Sequence, residues 1–139
     1  MKKVMVFGTF DVLHEGHRNF FQQARQYGDY VVCVVARDST TRHVGKNVLQ
    51  DENQRLQNVI STGLVDKAVL GNEGDKYQVI LEHQPDIICL GYDQSFFTHG
   101  LQTWLDKNSL SAQIIRLEPY EPEKFKSSLI RARILNERK

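Results

Sequence analysis

Apolar residues in this chain come in short blocks parted by polar stretches, and the blocks alternate between two periods. Val4, Met5, Val6 and Phe7 form an unbroken run of strand length, as expected of a strand buried on both faces. Gly8 ends it, the turn Thr9-Phe10-Asp11 follows, and Phe20, Phe21 and Ala24 then recur at helical spacing. After the break Gly28-Asp29, Tyr30 to Ala36 is the clearest strand, rich in β-branched residues. Arg37-Asp38-Ser39-Thr40 follows at its carboxyl end, and Thr41 to Gln50 shows no period, so it reads as a mobile loop carrying Arg42, His43, Gly45 and Lys46. Asp51 is placed as the N-cap of a helix in which Leu56, Val59 and Ile60 recur and which Gly63 stops.

The second half repeats the alternation. Val65 to Leu70 reads as a strand, Gly71 to Asp75 as a turn, and Tyr77 to His83 as a helix. Ile87 to Leu90 is a fourth buried strand, and Leu101, Trp104 and Leu105 make an amphipathic helix of Thr98 to Lys107. Ile114 to Leu117 gives a short or edge strand. Pro119 and Pro122 mark a loop, and Leu129, Ile130, Ala132 and Ile134 continue as a closing helix with Ser127 or Ser128 at its N-cap. Strands alternating with helices predict an α/β fold, a five-stranded parallel sheet with right-handed crossovers, doubly wound and flanked by helices.

Composition narrows the partners. At 139 residues a single domain spanning 1–139 is expected, large enough to bury a core without staples. Lys plus Arg number 18 against Asp plus Glu 17, which argues against nucleic acid or a membrane surface as the main partner. Cys33 and Cys89 lie inside apolar runs, so they read as core residues of a protein in a reducing cytoplasm rather than as a disulfide. The apolar run after Met1-Lys2-Lys3 is too short for a signal peptide or a membrane span.

The chemistry concentrates between the first strand and the first helix. Gly8, Thr9, Asp11, His14, Gly16 and His17 fall together where free backbone N–H groups and the positive end of a helix dipole meet, which suits a phosphate. His14 and His17 are three residues apart, and on a first helical turn both rings lie on one side. Any one of these residues is commonplace in a turn; the conjunction is not. Zinc is the weaker reading of the histidine pair, because both cysteines read as core and little else completes a ligand set, so no resident metal is expected.

Gly8-Thr9-Phe10-Asp11 followed by His14-x-Gly16-His17 resembles the signature of the cytidylyltransferase-like nucleotidyltransferases with the HxGH motif. The resemblance runs from Lys3 to Arg133 and implies a single Rossmann-like domain. It implies an enzyme that joins a nucleoside monophosphate, from ATP or CTP with Mg²⁺, to a phosphorylated acceptor and releases pyrophosphate. It places His14, His17 and Lys46 in catalysis, and Gly8, Thr9, Phe10, Asp11, Gly16 and Arg55 around the nucleotide. Leu90-Gly91-Tyr92-Asp93-Gln94 resembles the Leu-Gly-x-Asp-Gln of archaeal-type FAD synthases, which adenylylate FMN, so Gly91, Asp93 and Gln94 join the binding set. There the glycine would let a flat base or ribose approach the backbone, and Asp93 would accept from a hydroxyl.

In the family a helix start of paired Ser or Thr holds the β- and γ-phosphates. Lys126, Ser127 and Ser128 stand in its place, departing from the Arg-Thr-x-Gly-Ile-Ser-Thr form of the glycerol-phosphate enzymes. The acceptor stays open between FMN, as the nearest resemblance, and glycerol 3-phosphate with CTP, with phosphoethanolamine-type and sugar-phosphate acceptors also open. A nucleotide-binding regulatory module without chemistry is the reading from another class, disfavoured by the presence of both histidines. Members of the family are often homodimers, and Phe20 and Phe21 would allow an apolar contact.

Overall fold

The computed structural model describes residues 2–43, 45–73, 77–91, 94 and 100–118. The uninterrupted apolar runs become the strands: β1 (Lys3–Gly8), β2 (Tyr30–Val35), β3 (Lys67–Leu70), β4 (Ile87–Leu90) and β5 (Gln113–Arg116). All pair in parallel in the order β3-β2-β1-β4-β5. The chain thus builds outward from β1 through β2 to β3, then crosses back to lay β4 on the other side of β1. That reversal is a doubly wound sheet with its switch point between β1 and β4.

Strand side chains alternate between faces, so each run feeds two cores. Val4, Val6, Cys33 and Cys89 pack beneath α1 (Glu15–Arg25) and α3 (Glu52–Ser61), which contribute Phe21, Ala24 and Val59. Met5, Phe7, Val32 and Ile88 face α4 (Gln78–His83) and α5 (Leu101–Lys107), which contribute Ile80, Leu101 and Leu105. Cys33 and Cys89 are both register partners of Val6, one on each flank of β1, and both are fully buried. Phe21 is buried in this cluster, and the partly buried Phe20 packs against it.

The elements differ from the sequence pattern in several places, β1, β2 and α4 by a residue at an end. Asp38–His43, expected as turn and loop, forms a short helix, α2, whose polar sequence carries no apolar period to announce it. β3 begins at Lys67 and not at Val65, because the Asp66 carboxylate, not a backbone carbonyl, takes the Val31 N–H at 2.8 Å. β5 begins one residue early, at Gln113. The predicted start of α5 at Thr98 and the closing helix after Phe125 lie outside the described residues.

Gly28 makes the turn into β2 against the amino end of β1. A Cβ there would meet Val4 Cγ2 at 2.6 Å and the Lys2 carbonyl at 2.7 Å. That carbonyl is held in place, accepting from the Asp29 and Tyr30 N–H groups. Gly28→Ala should therefore cost about 1–3 kcal/mol by overpacking, measured as a lowered urea midpoint. An unchanged midpoint would mean that the turn moves aside freely.

Candidate active site

The turn after β1 is bent against its residues' preferences. Phe10 and Val12 both have positive φ, 56° and 55°, which for a β-branched valine is a conformation that must be imposed from outside. Two anchors impose it. Asp11 is fully buried, its Oδ2 accepting from the Leu49 N–H at 2.9 Å and its Oδ1 from the Gln50 N–H at 3.0 Å. The Val12 N–H in turn donates to Gln50 Oε1 at 3.1 Å. Phe10 folds its ring back over Gly8, where a Cβ would come within 2.6 Å of it, and onto Phe21 at a centroid distance of 5.1 Å. The side chains of Phe10 and Asp11, expected around a nucleotide, thus pack and tie the turn.

The turn delivers the chain to α1 with His14 as N-cap. His14 Nδ1 accepts from the Gly16 N–H at 3.0 Å, and His17 Nδ1 accepts from the His14 N–H at 3.2 Å. The histidines thus do what Ser and Glu do in a capping box. With Nδ1 an acceptor in both rings, the neutral imidazoles carry their hydrogens on Nε2. Burial lowers His14 to about 4, and burial together with the charge of His14 lowers His17 to about 3. The ring centroids are only 3.9 Å apart, so two imidazoliums would repel strongly. At neutral pH the pair therefore presents two uncharged N–H donors at a helix N-terminus. Across the turn, Lys46 Nζ donates to Thr9 Oγ1 at 3.3 Å, so the loop lysine does reach the histidine turn.

Arg55 is the buried hub of the region. Its side chain has no exposed surface and donates to the carbonyls of Gln50 at 3.1 Å, Thr9 at 2.9 Å and Ala36 at 2.7 Å, and to Asp38 Oδ1 at 2.8 Å. It ties the ends of β1 and β2 to α3; it does not reach outward toward a nucleotide. Asp38 and Glu52, which the sequence did not single out, complete the network. The Asp38 N–H donates to Glu52 Oε1 at 2.9 Å and the Glu52 N–H to Asp38 Oδ2 at 3.2 Å. Burial would raise the Asp38 carboxyl, but the hydrogen bonds from Arg55 and the Glu52 N–H, with the charges of Arg55 and Arg42, hold it below its ordinary value. Its place at the carboxyl end of a buried strand, where ligands sit in open parallel sheets, was a sequence signal for Asp38.

On the far side of β1, Gly91 and Gln94 follow β4. A Cβ on Gly91 would lie 3.3 Å from Gln94 Cγ and 3.5 Å from Phe20, so the glycine makes room for a side chain of the protein itself, where a base or ribose had been expected. Gln94 is likewise turned to backbone groups, the Phe7 carbonyl of β1 and the N–H of Gly91 just after β4. The structure therefore gathers Gly8, Thr9, His14, Gly16, His17 and Lys46 at one turn, with Gly91 and Gln94 beside it; Asp93, Lys126, Ser127 and Ser128 lie outside the described residues. Among the described residues no three of His, Cys, Asp and Glu gather closely enough to hold a metal ion, and no helix is long and apolar enough to cross a membrane.

The cytidylyltransferase-like family model matches residues 5–133. The FAD synthases of Thermoplasma volcanium and Thermoplasma acidophilum are each 42% identical over 135 residues, 97% of this chain and 95% of theirs. The FAD synthase of Methanosarcina barkeri is 44% identical over 117 residues, 84% of either chain. A solved structure, described as the lipopolysaccharide core biosynthesis protein from Thermoplasma volcanium, superposes with a TM-score of 0.83 at 44% identity, covering 87% of this chain and 99% of that one. The pantoate–β-alanine ligase of Francisella tularensis, at 15% identity and a TM-score of 0.58, shares the fold alone.

Two outcomes follow from the geometry. Arg55→Met strands three carbonyls and Asp38, and should cost about 3 kcal/mol or more in urea unfolding; a variant as stable as the parent would remove Arg55 from its structural role. The histidines bind protons in the unfolded chain near the ordinary 6.5 but in the folded one only near 4 and 3. The unfolded state thus holds more protons below pH 6.5, and stability falls as pH is lowered from there toward 4. A His14→Gln, His17→Gln double variant should lose less stability over that window, and parallel curves for the two proteins would contradict the neutral pair.

Proposed function

This chain belongs to the cytidylyltransferase-like family, and within it we propose that it is an FMN adenylyltransferase, forming FAD and pyrophosphate from ATP and FMN. The observation that carries the reading is the imidazole pair at the N-cap of α1, with both Nδ1 atoms fixed on backbone N–H groups. The FAD synthases that match almost the whole chain supply the substrates.

In the reaction a phosphate oxygen of FMN attacks the α-phosphorus of ATP in line. The new P–O bond forms as the bond to the β-phosphate bridge breaks, and pyrophosphate leaves with the electron pair. The acceptor phosphate is already an anion at neutral pH, so no side chain acts as nucleophile. The work left to the protein is to position the phosphates and offset charge. Nε2–H groups of His14 and His17 donate to the α-phosphate oxygens as their charge grows, and as neutral donors they avoid setting two cations side by side. Lys46, tethered at Thr9, supplies the positive charge toward the leaving pyrophosphate. Lys126, Ser127 and Ser128 are proposed to hold its β- and γ-phosphates, and Asp93 to accept from the nucleotide's hydroxyls. Mg²⁺ would come with ATP rather than sit on a cluster of side chains among the described residues, and would offset charge on the phosphates. The Asp11 carboxylate ties the turn, each oxygen accepting from a backbone N–H.

The Thermoplasma volcanium structure is described as a lipopolysaccharide core biosynthesis protein, and sugar phosphates are therefore tested beside FMN as acceptors. A pyrophosphate-release screen of ATP and CTP against FMN, glycerol 3-phosphate and sugar phosphates should give product from ATP with FMN alone. Product only from CTP with glycerol 3-phosphate, or only from a sugar phosphate, would overturn the assignment, and no product from any pair would leave a binding module. His17→Ala should lower kcat about 100-fold in a protein that remains folded; unchanged turnover would take the imidazole out of the mechanism.

A further inference from the structure

The ladder between β1 and β4 stops while both strands still run on. Its register pairs Val4 with Ile87, Met5 with Ile88 and Val6 with Cys89. β1 continues through Phe7 and Gly8 beside β2, and β4 through Leu90 beside β5. In that register the next bond of a parallel ladder would run from the Gly91 N–H to the Phe7 carbonyl. The Gln94 carboxamide sits between those two groups instead. Its Oε1 accepts from the Gly91 N–H at 2.6 Å, and its Nε2 donates to the Phe7 carbonyl at 2.6 Å. One direct bond of about 2.9 Å is thus replaced by two bonds with a side-chain amide between them. From β5, Arg116 Nη1 holds the same loop, donating to the Gly91 carbonyl at 2.7 Å and the Gln94 carbonyl at 2.6 Å.

We propose that Gln94 is a positioning residue, its carboxamide spliced into the sheet to hold the carboxyl ends of β1 and β4 apart, with Arg116 as its brace. The splice sets the width of the crevice at the switch point. Phe7 leads directly into Gly8 and Thr9, and Thr9 is bonded to both Lys46 and Arg55, so the spacing is passed on to the histidine turn. Without the carboxamide, the Gly91 N–H reaches the Phe7 carbonyl directly and the crevice narrows. The sheet gains a rung while the nucleotide loses its fit. The consequence for binding rests on the nucleotidyl-transfer reading; the splice itself does not.

The test is nuclear magnetic resonance on the full chain labelled with ¹⁵N and ¹³C, combined with calorimetry using MgATP. In the wild type, scalar coupling across the hydrogen bond should link the Gly91 amide nitrogen to the Gln94 side-chain carbonyl carbon. In Gln94→Ala it should link Gly91 to the Phe7 carbonyl carbon. ATP affinity should fall about tenfold or more, as expected when a phosphate site loses its spacing, with the urea midpoint at or above that of the wild type. Coupling of Gly91 to Phe7 in the wild type overturns the proposal whatever the variant does. Wild-type ATP affinity in Gln94→Ala, or a loss of affinity that only follows a lowered midpoint, overturns the positioning role. A wild type that binds no ATP defeats the nucleotidyl-transfer reading, and the coupling then decides the splice alone.

Discussion

A guanidinium with no exposed surface sits where three stretches of backbone run out of ladder partners. Thr9 has left β1, Ala36 has left β2, and Gln50 precedes α3; the carbonyl of each accepts from Arg55. Buried carbonyls without donors are costly, and a parallel sheet leaves several at its carboxyl edge as the strands diverge. One planar donor fork settles them together, and Asp38 balances its charge. The polar carboxyl edge can therefore be both irregular and fixed. The bent segment at Phe10 and Val12 persists because Arg55 holds the Thr9 carbonyl before it, Gln50 Oε1 accepts from the Val12 N–H, and the Gln50 N–H donates to the Asp11 carboxylate.

On that frame the histidine pair can be uncharged and still oriented. Capping a helix with imidazoles sacrifices one nitrogen of each ring to the backbone and in return fixes which nitrogen carries the hydrogen. Burial then keeps both rings neutral. Orientation comes from main-chain groups, which do not rotate, so both rings are fixed by the fold itself. Relatives matching almost the whole length, and named as FAD synthases, give that arrangement a reaction to serve.

Much of this was legible in the chain itself. The strands declared themselves because a sheet covered on both faces demands unbroken apolar runs, and Asp51 does cap α3, accepting from the Gln54 N–H at 2.8 Å. The histidine turn was legible because its residues are local in sequence. The inward roles were not. Arg55 looks like any solvent-facing helix arginine until the strand ends are brought around it. Phe10 was read as part of a ligand surface, since nothing local says that its ring turns back over Gly8. Gly91 reads as an opening for a base, and the occupant is Gln94, whose partner on β1, the Phe7 carbonyl, is 87 positions away in sequence. α2 carries too few apolar residues to leave any periodic trace.

The two thiols illustrate what sheet order decides about covalent chemistry. Cys33 and Cys89 flank Val6 on opposite sides, so an intervening strand separates them by about two interstrand spacings, or roughly 10 Å. A sulfur–sulfur bond needs their backbones several ångströms nearer. The intact sheet thus acts as a spacer that keeps this chain's cross-link unmade under oxidants, and both sulfurs come within reach of reagents only when the strands themselves part.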